Sequence, residues 1–173
     1  MSRAQKTVGT IVVMGVSGAG KSTVARALAE RCGRPFLEGD DFHPVTNIRK
    51  MAGGQPLDES DREPWLRSLA EAIANELRAG RSPIVACSAL SAASRSALRT
   101  ADSALMFVYL TAQRSVIEAR MRARSGHFMP ASLLDSQWAA LEPPTDALRI
   151  DASLPVTTIV EQILTTTPRV TTS

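Results

Sequence analysis

The segment Gly15-Val16-Ser17-Gly18-Ala19-Gly20-Lys21-Ser22 follows G-x-x-x-x-G-K-[ST] without a gap. Each part has a physical task. The glycines let successive backbone N–H groups curl around an anion without side-chain clashes. The helix that begins here adds free N–H groups and the positive end of its dipole. Lys21 bridges the outer phosphates of a nucleoside triphosphate, and the Ser22 hydroxyl reaches magnesium. Thr23, next in the chain, belongs to the same nucleotide-binding stretch. A chance glycine turn is the competing explanation. An apolar strand before the motif and an amphipathic helix after it argue for the phosphate loop.

A second group lies at Glu38-Gly39-Asp40-Asp41-Phe42-His43-Pro44. It follows a short strand, and in an open parallel sheet strand ends face the ligand crevice. A carboxylate there can orient an acceptor hydroxyl and take its proton as a phosphoryl group arrives. Asp40 is the first choice for that base. Capping a helix is the alternative role for Asp40 or Asp41. Asn47, Arg49 and Lys50 come next, then Asp58, Asp61, Arg62 and Trp65. Such forked donors, cations and acceptors suit a polyhydroxylated acid: arginine grips a carboxylate bidentately, and Asp40 and His43 bind hydroxyls. A solvated surface helix explains the same residues equally well, and Asp61 has the further option of helping to cap the next helix.

A third group is rich in arginine. Arg120, Arg122 and Arg124 precede Ser125-Gly126-His127-Phe128-Met129-Pro130. Arg120 and Arg124 are four apart and share a helix face, whereas Arg122 lies off it and can pair with Glu118. Gly126 and Pro130 bracket a segment able to move as a lid, bringing arginines to the transferring phosphate and excluding water. A basic helix end complementing its own dipole accounts for one of these arginines better than for two on one face.

The elements that must position these groups alternate between strand and helix, which implies a largely parallel sheet with helices on both faces. Strands are expected at residues 11–14, 36–38, 84–87, 105–110 and around Leu148 and Ile150, the last ending at Asp151. Helices are expected from Gly20 to Cys32, from Ser60 to Gly80, from Gln113 to Arg124, from Leu133 to Leu141 and from Pro155. In the second helix Ser60 and Glu63 have capping-box spacing, Pro64 suits a first turn, and Leu66, Leu69, Ile73 and Leu77 line one face. Residues 165–173 are polar and expected to fray.

One P-loop kinase domain, 1–173, is expected, with a core at 8–165, an acceptor-binding segment at 40–65 and a lid at 120–132. The net charge is +3 and aromatics make up 4% of the chain. Its arginines are scattered among carboxylates, so a nucleic-acid surface is disfavoured against a site for small anions. Two cysteines make no disulfide framework. No apolar run approaches the roughly 20 residues of a membrane helix, and the cytoplasm is the expected location. An Asn-Lys-x-Asp segment for reading guanine is absent, and the third strand ends in Cys87-Ser88 rather than a magnesium-binding aspartate. These features favour a small-molecule kinase.

Taken together, the residues resemble the gluconate kinase (gluconokinase) family of small P-loop kinases, related to shikimate and nucleotide kinases. The carriers are the block Met14 to Ser22, Gly39-Asp40 with His43-Pro44, and Asn47-Ile48-Arg49-Lys50-Met51. Pro56-Leu57-Asp58, Asp61-Arg62 and Pro64-Trp65-Leu66 follow. Cys87-Ser88-Ala89-Leu90, Arg124 with Gly126-His127-Phe128, and Gln137 with Leu141-Glu142-Pro143 complete the set. The likeness spans roughly residues 10 to 165.

The resemblance implies a five-stranded parallel sheet, ATP with magnesium as donor, D-gluconate as acceptor, 6-phosphogluconate as product and commonly a homodimer. It maps the acceptor site onto Asp40, His43, Arg49, Arg62 and the Ser88-Ala89 turn, with Lys50 and His127 beside it. It also maps lid arginines onto Arg120 and Arg124. The chain departs from the family after Leu90, where basic residues are frequent. Here Ser91-Ala92-Ala93 follow and Arg95 is the next cation. A shikimate or nucleoside kinase and a nucleotide-dependent switch module are the rival readings. A nucleoside slot calls for aromatics, and segment 40–65 supplies only Phe42 and Trp65 among many charges. A switch has no need of Asp40 beside so many cations.

Overall fold

The computed structural model describes residues 9–124 and 133–167. Five strands form one parallel sheet: β1 Ile11–Met14, β2 Phe36–Glu38, β3 Ile84–Ala86, β4 Met106–Thr111 and β5 Leu148–Asp151. Their spatial order is β2-β3-β1-β4-β5. The α/β, five-stranded architecture expected for the phosphate loop is therefore present. From β1 the chain crosses to β2 at one edge, and from β3 it crosses past β1 to β4. Connections thus leave β3 and β1 in opposite directions, and a crevice opens beyond their carboxyl ends, where such sheets bind ligands.

The sheet has a core on each face, because successive side chains point to opposite sides of a strand. Ile11, Val13, Ile84, Ala86, Val108, Leu110 and Ile150 pack on one face against helices α1 (Lys21–Cys32), α5 (Arg114–Ala123) and α7 (Val156–Thr166). Val12, Met14, Val85, Cys87, Phe107 and Tyr109 pack on the other face against α3 (Glu59–Arg78) and α4 (Ala92–Arg99). Register carries this division across the sheet: Val13 pairs with Ala86 and Val108, and Val12 with Val85 and Phe107. The remaining helices among the described residues are α2 (Val45–Ala52) and α6 (Leu134–Ala140), and a 3-10 turn spans Gly39–Phe42.

Several local expectations need correction. The capping box of α3 is made by Asp58 and Asp61, not by Ser60 and Glu63. The Asp58 carboxylate accepts from the Asp61 N–H, and the Asp61 carboxylate accepts from the Asp58 N–H, both at 2.9 Å. Aspartate serves as well as Ser or Glu in this reciprocal arrangement, because each side chain needs only an acceptor oxygen at the right reach. The helix accordingly begins at Glu59, which places Pro64 inside it. β3 stops at Ala86, one residue short of Cys87. Helix α7 extends to Thr166, and the Thr167 hydroxyl is buried against the Ile163 carbonyl, so fraying does not begin at Thr165. The helices α2 and α4 are too short to carry a long periodic pattern. Among the described residues no helix is long and apolar enough to cross a membrane.

Candidate active site

The phosphate loop leaves β1 through three glycines in left-handed or related backbone conformations, Gly15 (φ 147°), Gly18 (φ 82°) and Gly20 (φ 95°). A side chain at Gly15 would also stand 2.9 Å from the Leu110 carbonyl. Gly20 caps α1, so the helix points its free N–H groups into the loop. The loop is braced from three sides. The Gly15 N–H donates to the Ser88 carbonyl at 3.3 Å. The Ser17 N–H donates to Gln137 Oε1 of α6 at 2.7 Å, and Gln137 Nε2 approaches Ser17 Oγ at 3.1 Å. Lys21 Nζ donates to the Val16 carbonyl at 3.0 Å. Burial pushes the Lys21 ammonium below its usual range, and the Asp40 and Glu38 carboxylates pull it back.

Facing the loop is the end of β2. Ser22 Oγ donates to Glu38 Oε2 at 2.5 Å, and Glu38 stands in register with Ala86 of β3. The chain then enters the 3-10 turn, whose first residue has no room for a side chain. A Cβ on Gly39 would lie 2.4 Å from the Ala86 carbonyl. The turn is pinned from α3 by Trp65, whose Nε1 donates to the Gly39 carbonyl at 2.8 Å. Asp40 is thereby held over the crevice with its side chain 38% exposed, while Asp41 is exposed. His43 stacks on Trp65, the ring centroids 4.1 Å apart and the planes 17° from parallel. Burial lowers its pKa to about 4, against the raising effect of Asp40. The imidazole is therefore neutral at neutral pH.

Between the loop and this turn lies a cavity of about 320 Å³. Ser17, Gly18, Gly20, Lys21 and Ser22 line one side, and Glu38, Asp40, Asp41 and His43 line the other. Arg62, Trp65, Ser88, Arg124 and Gln137 complete the polar and aromatic wall. Arg62 is anchored by Glu59 at 2.7 Å and by the Leu57 carbonyl at 2.9 Å.

Other candidates stand elsewhere. Lys50 is outside the lining and pairs with Asp61 at 2.6 Å. Arg49 and Thr23 are exposed and outside it as well. Ala89 is buried behind Ser88 with φ 44°, and its carbonyl accepts from the buried Arg95 at 3.0 Å. The first cation after Leu90 thus braces the turn from behind. The expected common helix face of Arg120 and Arg124 is not formed: α5 ends at Ala123, and Arg124 follows it in extended backbone (φ −80°, ψ 127°), which turns the two side chains to different places. Arg124 lines the cavity, whereas Arg120 donates to the Ala152 carbonyl at 2.9 Å and approaches the Gly18 and Ala19 carbonyls at 3.5 and 3.4 Å. Arg122 stands 3.8 Å from Glu118, as its position off that face suggested. His127 and the segment Gly126 to Pro130 lie outside the described residues.

Glu38 and Gln137 are site residues that local chemistry did not single out. Glu38 was legible as the last strand residue two before Asp40, facing the same crevice. Gln137 comes from far along the chain, and only the folded sheet brings it to Ser17.

The site suits the chemistry of magnesium. Ser22 and Glu38 offer adjacent hard oxygen donors, and no cluster of three metal-ligating side chains occurs among the described residues. Magnesium in phosphoryl-transfer sites uses few protein oxygens and takes the rest from phosphate and water.

A family model described as an AAA domain matches residues 11–144. The gluconokinase of Gluconobacter oxydans (strain 621H) is 42% identical over 157 residues, covering 89% of this chain and 88% of that protein. The solved structure of a gluconokinase from Sinorhizobium meliloti 1021 is 47% identical with a TM-score of 0.80, covering 91% of this chain and 90% of its own. A sugar kinase from Janibacter sp. HTCC2649, solved without ligand, is 45% identical with a TM-score of 0.86, covering 92% and 94%.

Proposed function

The chain belongs to the gluconokinase family, and we propose from that premise that it moves the terminal phosphoryl group of Mg–ATP onto the terminal hydroxyl of D-gluconate. The observation that supports this is the single cavity shared by Lys21 and Ser22 of the phosphate loop and by Asp40 and His43 of the acceptor turn.

The steps follow from where the charges sit. Loop N–H groups and Lys21 bind the outer phosphates. Ser22, with Glu38 beside it, is the place for magnesium, which when bound screens the phosphate charge. Asp40 accepts the proton of the gluconate hydroxyl as its oxygen bonds to the γ-phosphorus. The bond from that phosphorus to the bridging oxygen breaks, and ADP leaves. Lys21 and Arg124 stabilise the negative charge on the transferring group. Arg62 has a guanidinium within reach of a carboxylate and a fixed backbone anchor, which suits it to the acid end of gluconate. Arg120 serves the donor side by holding the loop against Ala152. Magnesium use, a homodimer and a cytoplasmic location belong to the same proposal.

ADP release, measured by a coupled assay with gluconate, shikimate, a nucleoside or no acceptor, tests the reading. Release is expected with gluconate only, and Lys21→Ala should abolish it in a folded protein. Equal release with and without gluconate would remove the kinase assignment.

A further inference from the structure

Three elements converge on His43 and constrain it in different ways. Trp65 of α3 fixes the plane of the ring by stacking. Asp40, on the turn before it, stands 3.8 Å from Nε2. Asn47 of α2 stands 3.3 Å from Nδ1 and is 3% exposed. Asn47 is one helical turn after His43 and does not line the cavity.

The orientation of the Asn47 amide is decided by its other neighbour. Its nitrogen lies 2.8 Å from the backbone carbonyl of Asp61. A carbonyl oxygen only accepts, so the amide must turn its NH2 toward it, and the flipped amide would set two acceptors against each other. The same NH2 group has a second proton, and that proton faces His43 Nδ1. Nδ1 must then carry a lone pair. A neutral imidazole has one N–H, so the proton resides on Nε2, on the side of Asp40 and the cavity.

We propose that Asn47 is a positioning residue for the acceptor: by holding His43 as the Nε2–H tautomer, it makes the imidazole a neutral hydrogen-bond donor beside the Asp40 carboxylate. The inference rests on the reading of this turn as the gluconate side of the site. The geometry has a chemical consequence. A separation of 3.8 Å is too long for a direct hydrogen bond. It does leave a hydroxyl oxygen within reach of both groups, donating to Asp40 and accepting from His43. A neutral donor also leaves the Asp40 charge available as a base, whereas an imidazolium would pair with it. The opposite tautomer would set two acceptors side by side against a polyol.

The chain has two histidines, His43 and His127, so the tautomer can be read directly. Protein labelled with 15N-histidine is examined by long-range proton–nitrogen correlation at neutral pH, with His43→Gln assigning the signals. The wild-type spectrum should show His43 with Nδ1 unprotonated and Nε2 protonated. Asn47→Leu should mix the tautomers and raise the gluconate KM about tenfold, the scale of one lost hydrogen bond, with ATP binding unchanged. Asn47→Asp, which presents only acceptors, should move a proton onto Nδ1. A wild-type His43 protonated on Nδ1 would overturn the inference whatever the variants do. So would Asn47→Leu and Asn47→Asp variants that keep both tautomer and KM. Gluconate-independent ADP release would instead overturn the acceptor reading while leaving the tautomer result standing.

Discussion

Asp40 and Asp41 are neighbours with unequal settings, and the difference makes the base testable. Asp40 stands within 3.8 Å of His43 and is partly enclosed, while Asp41 is exposed. Asp40→Asn keeps the size and one acceptor oxygen but cannot take the proton. Turnover on gluconate should fall about 100-fold or more, the scale of general-base catalysis, with ATP binding intact. Asp41→Asn should do much less, and the reverse order would move the base to Asp41. His43 makes a separate prediction about acid. Its pKa is about 4 in the fold against 6.5 for the free group. Between those values the unfolded chain binds the proton and the folded chain does not, so stability declines as pH falls from 6.5 to 4 and is not regained below. The loss is at most about 3.5 kcal/mol, at about 1.4 kcal/mol per pH unit. Thermal unfolding of wild type and His43→Gln should diverge over that interval, and parallel curves would contradict the assignment.

At the scale of elements, the β2 end works because its backbone passes close to β3. Gly39→Ala would set a methyl 2.4 Å from the Ala86 carbonyl. The strands must separate or the turn must tilt, and either displaces Glu38 and Asp40. The variant should lose about 2 kcal/mol or more by overpacking and most of its activity, as read by denaturant unfolding and turnover. The C-terminal end of α5 carries a second prediction. Arg124→Ala should chiefly lower kcat, because the proposed mechanism sets its guanidinium, which lines the cavity, on the transferring phosphate. Arg120→Ala should chiefly raise the ATP KM, because it frees the loop carbonyls and Ala152. Identical kinetic effects would mean that the two arginines share one role. Spacing alone suggests one helix face for both, but the helix stops at Ala123 and Arg124 leaves it in extended backbone. Only the folded position of α5, packed by Ile117 and Met121 against the loop, and its end before Arg124 set the two guanidiniums in different surroundings. The α3 cap is ambiguous in the sequence for a related reason: Ser60–Glu63 and Asp58–Asp61 both satisfy the spacing, and the choice depends on where the chain leaves α2.

At the scale of the whole molecule, the phosphate loop, the strand count and the carboxylates beyond β2 were legible because each rests on local sequence: glycine conformations, apolar runs and a carboxylate after a strand. Strand order and the bracing of the loop by Gln137 were not, since they depend on crossovers between residues far apart in the chain. The Ser17–Gln137 contact spans 120 positions. The assembled crevice brings the phosphate loop and the Asp40 turn to one cavity whose walls come from both halves of the chain. Transfer to the terminal hydroxyl, rather than hydrolysis, is therefore the central claim. The direct measurement follows wild-type enzyme with ATP and gluconate by phosphorus NMR, quantifying ADP, inorganic phosphate and phosphate ester together. The account predicts one 6-phosphogluconate for each ADP and no ADP above background without gluconate. Inorganic phosphate accumulating in step with ADP, or an ester at another hydroxyl, would contradict it.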